Sequence, residues 1–122
     1  MAWGYELVLD CYDADQDLIR SRVNIEAFAK VLVKKIDMVA YGNPLLVHFG
    51  SDDKMGFTLV QLIETSNITA HFSEDTGNFY LNVFSCKEFD TEVVVEVVKH
   101  FFGPKTIDKR FLERGISNEE ET

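Results

Sequence analysis

The chain has 122 residues, 46 % of them apolar, with 21 acidic and 12 basic side chains for a formal net charge of −9. That length supports one domain with a core of its own, needing neither disulfides nor a metal. The acidic balance argues against a nucleic-acid partner, which asks for a basic stripe, and no apolar run approaches the roughly 18 residues that span a membrane. The opening Met1-Ala2-Trp3-Gly4-Tyr5 has no basic region followed by an apolar one, so no secretory signal is expected and a cytoplasmic location is. There Cys11 and Cys86 are expected to stay reduced. The cysteines and histidines show no CxxC or HxxxH spacing, so no metal site is expected.

In chain order, Gly4 to Cys11 reads as a strand, and Asp13-Ala14-Asp15 as a turn. Asn24 is placed to cap a helix whose apolar face is Ile25, Phe28, Leu32 and Ile36. Gly42-Asn43-Pro44 ends that segment, and Leu45 to Phe49 is a short strand followed by the polar loop Gly50 to Lys54. Three strands follow, Phe57 to Glu64, Asn67 to Phe72 and Phe79 to Ser85, the last two joined by a hairpin loop that carries Gly77. Asp90 caps a second helix, with Phe89 and Val94 placed as a hydrophobic staple. Val93, Val94, Val97, Val98 and Phe101 form its apolar face, and Gly103-Pro104 stops it. Thr106 to Leu112 closes the fold as a strand. The expected architecture is α+β, a two-layer sandwich with an antiparallel sheet and two helices on one face. Residues 1–116 form the single domain, and 117–122, rich in glutamate, are read as an acidic disordered tail.

Ser66, His71 and Cys86 are the side chains that could combine a nucleophile, a general acid/base and a proton-donating thiol. With Thr76-Gly77 at the hairpin tip, residue numbers across that ladder sum to about 153, which brings Cys86 opposite Asn67 and next to Ser66. His71 conflicts with this picture. In an unbroken strand, positions 66 and 71 have opposite parity and point to opposite faces, so cooperation needs a bend or break near Thr65-Ser66-Asn67. The ordinary roles of these residue types are hydrogen-bonded filler for a strand serine, surface or core for a lone histidine, and small hydrophobe for a cysteine.

Three short runs carry a resemblance: Thr65-Ser66-Asn67, then His71-Phe72-Ser73-Glu74-Asp75, then Asn82-Val83-Phe84-Ser85-Cys86. Their order and spacing are similar to the small prokaryotic type of S-adenosylmethionine decarboxylase proenzyme, whose corresponding runs are Glu-Ser-His, His-Thr-Trp-Pro-Glu and Asp-Val-Phe-Thr-Cys. The resemblance extends more weakly over nearly the whole chain. It implies a self-processing enzyme of spermidine synthesis, cleaved between Thr65 and Ser66, in which Ser66 becomes a pyruvoyl cofactor and no metal is used. Such a carbonyl forms a Schiff base with the substrate amine and draws electrons as carbon dioxide leaves. By the same resemblance His71 and Thr58 assist processing, and Cys86 is the proton donor in decarboxylation. Asp75, Glu64, Asn67 and Phe49 are the substrate-binding candidates. A homodimer is implied, because the family builds its pockets between protomers.

The chain departs from the family runs at Thr65, Asn67, Ser73 and Glu74. Those differences keep two alternatives open. One is a pyruvoyl-dependent decarboxylase of another amino acid, such as arginine or ornithine. The other is an uncleaved, non-catalytic homologue that acts as a binding or regulatory partner.

Overall fold

Alternating apolar residues from Gly4 to Tyr12 form strand β1, and Leu7, Leu9 and Cys11 lie wholly buried on one of its faces. The computed structural model describes residues 1–116, so the acidic tail expected at 117–122 lies outside the described residues. Strands β2 (Leu45–Phe49), β3 (Gly56–Ile63), β4 (Ser66–Phe72) and β5 (Phe79–Ser85) run as an antiparallel meander. β1 then pairs with β5 on one side and with β6 (Thr106–Arg114) on the other. The result is one six-stranded antiparallel sheet in the order β2-β3-β4-β5-β1-β6.

Helices α2 (Arg22–Lys35) and α3 (Thr91–Phe102) pack together over the buried face of the sheet. The expected two-layer α+β architecture is the one observed. Phe28 of α2 and Phe102 of α3 meet at 4.8 Å between ring centres, and Phe72 and Phe79 each lie 5.0 Å from Phe102. All four rings are fully buried, and each contributes about 2–3 kcal/mol by leaving water. This cluster joins the two helices to the middle of the sheet.

Helix boundaries differ from the sequence expectation at one end. Ser21, not Asn24, caps α2, and its hydroxyl accepts the Asn24 N–H at 3.1 Å. The Asn24 side chain is used instead to donate to the carbonyls of Leu18 and Phe101, tying α2 to α3. Leu18 belongs to a short extra helix, α1 (Gln16–Ile19), capped by Asp15. At the other end the expectations hold. Asp90 caps α3, and Gly103 closes it in the left-handed conformation with φ 56°, where glycine pays no steric penalty.

Among the described residues, no helix covers the second face of the sheet. Across it runs a row of paired residues, Val47, Thr58, His71, Tyr80, Asp10 and Asp108. A parallel row holds Leu62, Asn67, Phe84, Glu6 and Leu112. Ion pairs from Arg114 to Glu6 and from Arg110 to Asp10 cross this face, yet Leu45, Val47, Phe49, Leu62, Tyr80 and Leu112 stay exposed on it. One end is fixed by a close backbone approach. Gly56 has φ 155°, and a β-carbon there would stand 1.7 Å from the Phe72 carbonyl oxygen. Only glycine fits, and the contact pins β3 against β4 beside His71.

Candidate active site

The Thr65–Ser66 bond lies at the corner of the β3–β4 hairpin. β3 ends at Ile63, β4 begins at Ser66, and Glu64 and Thr65 alone make the turn. The connection after α2 braces it, since Glu64 N–H donates to the Val39 carbonyl at 2.9 Å and Tyr41 N–H to the Leu62 carbonyl at 2.9 Å. On the other side stands the end of β5. Residue numbers in the β4–β5 ladder sum to 151 (66 + 85), two less than expected, because the loop tip falls earlier. Ser66 therefore pairs with Ser85, and His71 with Tyr80.

This register places Cys86 opposite Thr65. Its N–H donates to the Thr65 carbonyl at 3.2 Å. Asn67 Nδ2 donates to Ser66 Oγ at 3.1 Å. The Thr65 hydroxyl donates to Met38 Sδ at 3.2 Å and accepts from Ser85 Oγ at 2.9 Å, while Ser85 Oγ accepts from Lys87 N–H at 2.9 Å. Ser66 is half-buried, and Cys86 is a free, exposed thiol. The other thiol is a poor candidate for chemistry. Cys11 is buried, and that burial, with a smaller effect from the Asp10 charge, pushes its pKa up to about 12. A neutral thiol in the core neither attacks nor donates readily.

His71 stands elsewhere. It is five positions beyond Ser66 (71 − 66) in a continuous strand, about 16 Å along the chain. The bend or break near Thr65-Ser66-Asn67 that would join them is not found. The turn precedes Ser66, and β4 pairs regularly from its first residue. One copy of the chain thus brings the Cys86 amide to the Thr65–Ser66 bond and leaves His71 apart, on the open face.

There His71 is held at both ring nitrogens. Nε2 lies 2.9 Å from the Lys54 carbonyl and Nδ1 lies 2.7 Å from Thr58 Oγ1. A carbonyl only accepts, so Nε2 carries the hydrogen, and in the neutral ring Nδ1 accepts from the Thr58 hydroxyl. Phe49, exposed at the end of β2, places its ring 6.2 Å from the imidazole. Asp75 lies exposed in the turn after β4. That turn is braced by Ser73 Oγ donating to the Asp53 carbonyl at 2.7 Å, Thr76 Oγ1 donating to Ser73 Oγ at 2.8 Å, and the His48–Glu74 contact at 2.8 Å. Glu64 is exposed at the other corner, beside Thr65.

The sequence-predicted residues therefore form two groups. Glu64, Thr65, Ser66, Asn67 and Cys86 gather at the β3–β4 corner. Thr58, His71, Phe49 and Asp75 gather at the opposite end of β3 and β4. Sequence reasoning did not single out Ser85, Met38, the Cys86 amide or the Lys54 carbonyl. For Ser85 a signal exists: it shares strand parity with Leu81 and Val83, so it is a polar residue aimed at the core. The other three act through backbone or through contacts distant in sequence, which spacing does not reveal. Among the described residues, no group of three or more histidine, cysteine or acidic side chains is arranged to hold a metal ion. No helix among the described residues is long and apolar enough to cross a membrane.

Known proteins match this arrangement across its length. Residues 5–115 match the S-adenosylmethionine decarboxylase family. A curated S-adenosylmethionine decarboxylase proenzyme of Sulfurihydrogenibium sp. (strain YO3AOP1) is 28 % identical over 115 residues, covering 93 % of this chain and 83 % of the relative. The crystal structure of the adenosylmethionine decarboxylase from Aquifex aeolicus VF5 superposes with a TM-score of 0.82 at 25 % identity, covering 97 % of this chain and 95 % of that one. With nearly the whole sequence inside the family match, and the fold shared over 97 % of the chain, the chain belongs to the S-adenosylmethionine decarboxylase family.

Proposed function

We propose that this chain is the proenzyme of an S-adenosylmethionine decarboxylase that cleaves itself between Thr65 and Ser66, and that it works as a homodimer. Family membership gives the activity, a carboxy-lyase reaction on S-adenosylmethionine, and spermidine synthesis is the use it serves. The observation that carries the self-cleavage is the Cys86 N–H on the Thr65 carbonyl, the carbonyl that precedes Ser66. A donor already aimed at that oxygen stabilises the charge that gathers there when the carbonyl is attacked.

The steps balance on the chain's own atoms. Ser66 Oγ attacks the Thr65 carbonyl carbon, the bond from that carbon to the Ser66 nitrogen breaks, and the hydroxyl proton ends on the freed amine. This gives an ester. Loss of the Ser66 α-proton then expels Thr65 as a carboxylate, with its second oxygen taken from Ser66. Tautomerisation and addition of water release ammonia and leave a pyruvoyl group at residue 66. The site suits that group, because Ser66 stands at a sheet corner where the cut ends can separate without dismantling a strand. When present, the group supplies the electron sink for loss of carbon dioxide.

The remaining roles go to the two groups of side chains. His71, oriented by Thr58 and Lys54, is the acid/base for processing. Because it stands about 16 Å along β4 from Ser66, it serves the Ser66 of a second copy. Phe49 and Asp75 would move with it, the ring to cover the adenosine and the carboxylate to accept its ribose hydroxyls. Glu64 and Asn67 face the same substrate from the Ser66 side. The exposed apolar residues of the open face are the surface that a second copy covers. A net charge of −9 favours a cationic sulfonium substrate. Cys86 must stay a free thiol to donate its proton, which suits the reducing cytoplasm.

Assaying the processed protein tests this reading. Carbon dioxide should be released from S-adenosylmethionine and not from arginine or ornithine. The Cys86→Ala chain should still cleave, because its amide remains, but decarboxylate about a hundredfold more slowly. Release from a basic amino acid instead would replace the substrate, and full activity in Cys86→Ala would remove the thiol from the mechanism.

A further inference from the structure

We propose that Ser85 is a positioning residue for self-cleavage, whose buried hydroxyl holds the Cys86 amide and the Thr65 carbonyl against one another. The assignment rests on the self-cleavage reading above and names what keeps its polarising contact in place.

Ser85 is wholly buried, and its oxygen is linked to both sides of that contact. On one side it accepts the Lys87 N–H at 2.9 Å, a link to the residue two ahead that turns the backbone at once after β5. This fixes the peptide planes around Cys86, so that the Cys86 N–H faces β4. On the other side Ser85 Oγ donates to Thr65 Oγ1 at 2.9 Å, and the Thr65 hydroxyl goes on to Met38 Sδ at 3.2 Å. The Thr65 side chain is thereby anchored at its tip, and its carbonyl is left directed at Cys86. Gly4 backs the arrangement from β1: a β-carbon there would lie 3.1 Å from the Ser85 carbonyl oxygen and 3.5 Å from Cys86 Cα. The strand end has little room to move away.

Thr65 and Ser85 act as a matched pair. A hydroxyl on the residue before the cleaved bond gives the buried serine an acceptor, and the serine gives that residue a fixed conformation. Without the link, Thr65 and the residues after β5 would each sample other conformers, and the amide would meet the carbonyl for a smaller fraction of the time. A serine that merely fills the core would change stability alone.

The test is the rate of self-cleavage in freshly made protein, followed by mass, with and without hydroxylamine, which cleaves an ester but not an amide. Ser85→Ala should cleave about tenfold more slowly than wild type, the effect on the attacking step of losing the hydroxyl's links to Thr65 and Lys87. Hydroxylamine should not restore the rate, because the ester itself forms slowly. Ser85→Thr should remain within about threefold of wild type, a difference under 1 kcal/mol. Thr65→Val keeps the branched shape and breaks the same link from its other end, so it should be slowed similarly even if Ser85→Ala does not fold. Cleavage at the wild-type rate in both hydroxyl deletions, or full rescue by hydroxylamine, would overturn the assignment while leaving self-cleavage intact. A wild-type chain that stays whole would instead overturn the self-cleavage reading, and this assignment with it.

Discussion

A Ser66→Ala chain is expected to remain whole and to release no carbon dioxide. The substitution removes the only oxygen that can take over the Thr65 acyl group and later leave with it, so both ester formation and elimination lose their atom. Little else depends on that hydroxyl. Ser66 is half-buried, its hydroxyl accepts from the Asn67 amide at 3.1 Å, and its backbone pairing does not involve the side chain. The cost in stability should stay near 1 kcal/mol, within the range for one partly exposed hydrogen bond. Gel mobility and mass report the whole chain, and a thermal melt separates lost chemistry from lost fold. Cleavage at the same bond in Ser66→Ala would assign the break to some other nucleophile.

A mixed assembly of two inactive chains is expected to recover cleavage. His71 and Ser66 of one chain lie too far apart along β4 to cooperate, and the strand between them is regular. If His71 serves the second copy, Ser66→Ala and His71→Ala should each stay uncleaved when made alone. Made together, one pocket of the mixed dimer combines an intact Ser66 from the His71→Ala chain with an intact His71 from the Ser66→Ala chain. Cleavage should then appear only in the His71→Ala chain, which a tag on either partner identifies by mass. At random pairing half of all dimers are mixed, and each holds one competent pocket, so about half of the His71→Ala chains should be cut. The step from none to half is a large signal. No recovery on mixing, with dimers shown by light scattering, would place His71 in a role confined to its own chain.

Much of this fold is legible from local chemistry. Asp90 before a valine-rich amphipathic run and Gly103-Pro104 after it mark α3 at both ends, and the structure shows the same cap and the same left-handed stop. β2 and β5 end where β-formers give way to polar loops. The α2 cap went to Ser21 because Asn24 has a better use: its amide bridges two carbonyls, one of them on α3, and a tertiary contact of that kind leaves no trace in local sequence. The two-residue shift in the β4–β5 register has the same origin. The loop after β4 is braced by Arg20 and by the Asp53 and Met55 carbonyls, which together decide where the turn closes.

The geometry of the candidate site was legible only in part. The Ser66-to-Cys86 proximity follows from a hairpin ladder, which strand parity describes well. The separation of His71 follows from the same parity, and the conflict seen in sequence stands in the structure unrelieved. In the proposed homodimer His71 serves a second copy of the chain, which periodicity within one chain does not describe. Ser85 shows a further limit. It reads as an ordinary strand residue until the turn at Lys87 and the hydroxyl of Thr65 are both in place around it.

The most direct measurement is the intact mass of the purified wild-type protein after prolonged incubation. Two fragments of 65 and 57 residues (122 − 65 = 57) are expected, the second lacking a free amine and lighter by one ammonia than the product of simple hydrolysis. A single chain of 122 residues that never divides, or a second fragment that begins with an ordinary serine, would contradict that expectation.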